Sequence, residues 1–219
     1  MIKSITCSII VLSSVTLYLS SCIGKPGTFD RMINIGSIVI LFHGAFVLLC
    51  EVCFPLEPYI DSAAPFGLVY GPLCYLTFYA ISGKMPDKSS TFLHFVPAII
   101  GLMLYFMLLL LPSFRTACLE FTLHWLYIFI AISMMGYTGL LLFYNGVDEK
   151  ERAHEGKTMV FSVFILVFIV ALLIGVLMYS GAISRKEAGT VLPRMVVYFT
   201  MFTVMVFVFR YQVNRMLKK

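Results

Sequence analysis

PFGLVYGPLCYLTFYAISG, residues 65–83, carries no charged side chain and reads as a membrane-spanning helix with a Gly71-Pro72 pair in its middle. Proline inside a helix removes one hydrogen bond and crowds the preceding turn, yet membrane helices tolerate it where neighbours satisfy the freed carbonyl. Gly71 relieves that crowding. Gly67 and Gly71 lie four apart on one face, the small-xxx-small spacing that lets another helix approach closely. The stretch is therefore one kinked span with a packing notch.

The rest of the chain has the same character. Of its 219 residues 60% are hydrophobic and 12% charged, whereas soluble domains are about half apolar. A bilayer core about 30 Å thick takes about 20 apolar residues per helical span. Runs of that kind, bounded by charge or turn residues, fall at 4–23, 32–53, 63–82, 91–112, 117–144, 158–180 and 190–210. The runs are apolar on every face, which excludes the alternating pattern of a β-barrel, and lipid excludes an open sheet. The fold class is all-α: a polytopic membrane protein whose residues 1–219 form a single seven-helix transmembrane bundle.

Charge sets the expected orientation. Lys25, Arg31, Lys84, Lys88, Lys150, Arg152, Lys157, Arg210, Arg215, Lys218 and Lys219 fall on one side, and Lys3, Arg115, Arg185, Lys186 and Arg194 on the other. The positive-inside rule then puts the N-terminus outside and the C-terminus in the cytoplasm, which fits a bacterial inner membrane. A competing reading takes LSSC, residues 19–22, as a lipoprotein processing site; it leaves six spans and turns the cation-rich side outward, against that rule.

Beyond the opening stretch, a short polar loop leads to LHFVPAI, residues 93–99. Together, Pro65, Phe66, Tyr70, Gly71, Pro72, Tyr75, Leu93, His94 and Pro97 resemble the third and fourth spans of the seven-helix domain of membrane-anchored AraC-type transcriptional regulators. The resemblance implies a sensor that passes a periplasmic or membrane signal to a cytoplasmic transcriptional effector, with Pro65, Gly67, Gly71, Pro72, His94 and Pro97 as structural motif residues. The family continues from its last span into a helix-turn-helix DNA-binding domain; here RYQVNRMLKK, residues 210–219, closes the sequence. That basic tail reads as a topology and lipid-headgroup signal, with no direct nucleic-acid contact. The implied partners are the bilayer, a small ligand of unknown identity, and either a cytoplasmic effector or a second copy.

Ionisable residues inside spans are costly and mark candidate sites. Glu51 closes the second run with His43 two turns earlier, Glu120 and His124 open the fifth at i,i+4, and Arg194 sits just inside the seventh, one turn from Tyr198. Arg194, Glu51, Glu120, His124 and His43 together would line a polar ligand pocket at the outer end of the bundle. The plainer account has Arg194 snorkelling, the acids marking span ends and the histidines held by carbonyls.

Cys7, Cys50, Cys53 and Cys118 also fall near that end, in the expected oxidising compartment. A disulfide from Cys118 to Cys50 or Cys53 would brace the pocket; otherwise these are small apolar residues of buried helices. CEVC, residues 50–53, has no second pair with metal-ligand spacing, so no metal is implied. The last run holds no lysine, which excludes a retinal Schiff base, and no HExxH, GxSxG or phosphate loop occurs. No cofactor and no enzymatic activity are implied. The polar segment 146–157 reads as a solvated turn or a partner-docking surface. A small-solute transporter and a lipid-modifying enzyme are the alternatives; the former gains from the Gly-Pro pair and lacks a visible inverted repeat.

Overall fold

The computed structural model describes residues 1–23, 26–81, 85–143, 154–179 and 191–218. Most of the polar segment 146–157 lies outside the described residues, as do Lys25, Gly83, Lys84, Lys150, Arg152, Arg185, Lys186 and Lys219. Eight helices occur among the described residues and no strand: α1 (Ile2–Cys22), α2 (Thr28–Cys53), α3 (Tyr59–Ser62), α4 (Gly67–Ile81), α5 (Lys88–Leu110), α6 (Pro112–Phe143), α7 (His154–Tyr179) and α8 (Val191–Leu217). By length and composition seven spans result, with α3 and α4 together forming the third, Tyr59–Ile81.

Two boundaries differ from the sequence expectation. The third span begins four residues early, because Tyr59 to Ser62 wind into a helical turn before the Pro65 bend. The last span runs on through Arg210 to Leu217 rather than stopping at its first arginine, since long cationic side chains leave a membrane helix without ending it. Local chemistry accounts for other ends. Gly27 donates its backbone N–H to the Asp30 carboxylate at 3.1 Å, closing the first turn of α2. Leu111 alone separates α5 from α6, which opens on Pro112, a position where the missing N–H costs nothing.

The bundle is a ring with one helix outside it. Neighbours pack in the order α1, α2, α4, α6, α7, α8 and back to α1, while α5 packs on the outside against α4 and α6. In lipid, apolar area gives little drive for helices to associate, so close packing must hold the ring. Gly67 and Gly71 let α6 seat against α4: a Cβ at Gly67 would stand 2.6 Å from Ile130, and one at Gly71 would stand 2.5 Å from the Tyr137 ring and 2.8 Å from the Ser133 hydroxyl. Gly101 does the same between α5 and Pro65, at 2.9 Å. Pro72 is buried and α4 continues through it.

Candidate functional site

Arg194 enters the bundle near the start of α8 with its side chain 5% exposed. A guanidinium withdrawn from water needs acidic partners, and α2 and α3 supply two. Its Nε and Nη2 donate to Asp61 Oδ2 at 3.1 and 2.6 Å, and Nη2 also donates to Glu51 Oε1 at 2.5 Å. One turn along α8, the Tyr198 hydroxyl donates to the same Asp61 oxygen at 2.6 Å, and Ser62 reaches Oδ1 at 3.4 Å. The Asp61 side chain is 1% exposed and that of Glu51 21%. One cation thus faces two acidic side chains.

The short α3 is held from three sides. Arg115 Nη1 donates to the Tyr59 hydroxyl at 2.7 Å, Tyr105 donates to the Ile60 carbonyl at 2.9 Å, and Asp61 takes Arg194. Asp61 and Ser62 of this short helix join the cavity wall at this end of the ring.

Beside α3, helices α2, α4, α6, α7 and α8 line a cavity of about 220 Å³. Its lining is apolar for most of its length, with Ile40, Val160, Phe164, Val167, Met201 and Met205 among the wall residues. Asp61, Ser62, Arg194, Tyr198, Tyr127, Tyr70 and His43 bring polar atoms to it. His43 is buried, its Nδ1 hydrogen-bonds the Tyr70 hydroxyl at 2.7 Å, and its ring stacks on Phe66 at 4.2 Å.

Of the five ligand-site residues expected from the sequence, the structure joins Arg194 to Glu51 and sets Arg194 and His43 on one cavity. Glu120 and His124 do not line that cavity. Glu120 is exposed beside Arg115 and Thr116, and His124 Nδ1 is buried without a partner among the described residues. Their i,i+4 adjacency on α6 faces another sector of the bundle. Asp61, the hub of the cluster, was missed altogether, because an acid in a connection between spans carries no signal by itself. The disulfide is not formed: Cys50 is buried, Cys53 is exposed, Cys118 is half-buried, and all three are free, as are Cys7, Cys22 and Cys74. No group of metal-ligating side chains occurs among the described residues.

The motif residues form a second assembly. His94 Nδ1 hydrogen-bonds the Tyr137 hydroxyl at 2.7 Å, and Tyr75 packs on the His94 ring at 4.3 Å. Gly71 abuts the same Tyr137 ring, so α4, α5 and α6 meet at one aromatic contact. Pro65 and Pro72 are buried, whereas Pro97 is exposed on α5.

At the far end of the ring, Arg215 Nη1 donates to Asp30 Oδ1 at 2.5 Å, and Phe29 meets Tyr211 edge-on at 5.8 Å. Asp30 and Glu51 are 21 residues apart on α2, and Arg194 and Arg215 are 21 apart on α8. At 1.5 Å per residue each interval spans about 32 Å, close to the about 30 Å hydrocarbon layer. The two helices are pinned to each other near both of their ends. No family model matches the chain, and no curated protein and no solved structure matches it.

Proposed function

We propose that this chain is a sensory membrane domain that takes up a membrane-borne ligand inside its helical ring and passes the change through α8 to a cytoplasmic transcriptional effector. One observation carries the reading: the cavity is lined by α8 from Arg194 to Val208, about 21 Å of helix rise. An occupant of the cavity therefore touches the last helix along most of its membrane length. The likeness of the Gly71-Pro72 and His94 segments to AraC-type membrane domains supports the same reading, as does the spread of cations. Arg31, Lys88, Lys157, Arg210 and Lys218 stand at the Asp30–Arg215 end of the bundle, the distribution expected of an end that faces the cytoplasm of a bacterial inner membrane.

The test compares transcripts in three strains: wild type, a deletion, and Met205→Trp, which fills the cavity against α8. The sensor reading expects the deletion and the filled variant to alter the same limited set of transcripts. Unchanged transcripts alongside a loss of solute uptake would replace it with a transporter.

A further inference from the structure

The cavity and the ion cluster that closes it have a combined chemistry that neither has alone. A mostly apolar cavity that lies along α8 from Arg194 to Val208, with its charged lining residues Asp61 and Arg194 at one end, suits a molecule with one polar head and one hydrocarbon chain. The about 21 Å of α8 that lines it exceeds the about 15 Å that one leaflet's acyl chain covers, half of a 30 Å core. Methionines at 32, 134, 159, 201 and 205 line it, and their unbranched, polarisable side chains adapt to a flexible chain. By formal charge the head meets one cation and two acids, with Asp61 on the cavity wall and Glu51 behind it. Arg194 is engaged by Asp61 and by Glu51, so its charge is already matched and one carboxylate remains in excess. The remaining polar groups, from Tyr70, Tyr127, Tyr198, Ser62 and His43, offer hydrogen bonds. A carboxylate or phosphate head would add a like charge in a setting of low dielectric.

We infer that the cavity binds a single-chain amphiphile whose head is uncharged or cationic and hydrogen-bonding, and that it rejects fatty acids and other anionic amphiphiles. The inference rests on the sensor reading for its purpose and on the cavity for its chemistry. The head sits beneath α3 within reach of Asp61 and Tyr198. The chain runs along α8 toward Met205 and Val208.

The experiment uses the full chain in phosphatidylcholine nanodiscs with three photoreactive probes of equal length: an alkyl alcohol, an alkylamine and a fatty acid, each bearing a diazirine on the chain. Cross-links are mapped by mass spectrometry. Expected are adducts on cavity residues such as Val160, Met201 and Met205 from the alcohol and the amine, with the fatty acid at least about tenfold weaker, as a like charge near a buried carboxylate requires. Glu51→Gln should close most of that gap, because it removes the excess charge without touching the cavity wall. Val167→Trp should abolish cavity adducts in all three cases while lipid-facing adducts persist, and persistence of the latter with an unchanged elution volume shows that the variant folds. Equal labelling by the fatty acid in the wild type, or adducts confined to lipid-facing residues, would overturn the inference. Selective labelling in a strain background with unchanged transcripts defeats the sensor reading and leaves the ligand class standing.

Discussion

The Tyr198 hydroxyl and the Arg194 guanidinium, one turn apart on α8, converge on a single oxygen of Asp61. Two donors of one helix thereby fix a carboxylate on the short helix that opens the third span. Removing one member of such a buried pair leaves an uncompensated charge and costs about 3–5 kcal/mol, whereas replacing both with apolar residues of similar size is often nearly neutral. Arg194→Met, which leaves Asp61 and Glu51 without their cation, should lower the unfolding midpoint in nanodiscs strongly; Asp61→Leu, after which Glu51 still holds Arg194, should lower it less, and the double variant should lose less than the sum. Additive losses would mean that the ion pair contributes no coupling.

Steric fit decides the second case. Gly71→Ala places a methyl 2.5 Å from Tyr137, an overpacking change worth about 1–3 kcal/mol. At Gly136 a Cβ meets nothing within 4 Å, and the better helix propensity of alanine should leave stability level or raise it slightly. Thermal unfolding of the two variants separates the effects; equal midpoints would remove the packing argument for the α4–α6 seam.

His94 and Tyr137 supply a third measurement. Their 2.7 Å hydrogen bond joins α5 to α6 across the aromatic contact at Gly71. A double-mutant cycle with His94→Ala and Tyr137→Phe should return a coupling of about 1 kcal/mol. A coupling near zero would show that this hydrogen bond adds nothing to the packing of α5 on α6.

The thiols give a fourth. Alkylation of denatured, unreduced protein should modify all six cysteines, since every one is free in the structure. Protection of Cys118 together with Cys50 or Cys53 would restore the sequence-based bridge.

Orientation gives a fifth. In a cysteine-free background, Glu57→Cys should react with a membrane-impermeant thiol reagent in intact cells and Ser89→Cys should not; both positions are exposed, at opposite ends of their spans. The reverse pattern would invert the proposed topology.

How much the sequence reveals depends on whether the signal is local. Seven spans are legible because length and apolarity are properties of each run, and Arg194 and His43 stand out because charge and imidazole are rare there. Asp61 has no such contrast. It becomes a site residue only when α8 folds across the ring from the opposite end of the sequence and buries it beneath Arg194. Glu120 and His124 misled for a related reason: i,i+4 spacing sets two side chains on one face but does not say toward which neighbour that face turns. On α6, apolar nearly all round, the pattern holds no azimuth to read.

The matched intervals on α2 and α8 limit how a conformational change can travel. A piston stroke of α8 would carry Arg194 off Asp61 and Glu51 at one end and Arg215 off Asp30 at the other in the same instant, and both losses fall in a medium that charges them heavily. Twisting or bowing of the helix between its fixed ends breaks neither pair. If the cavity is a sensory site, as proposed, displacement of the mid-helix wall around Met201 and Met205 would reach the Arg215 end as twist or bend rather than as axial travel.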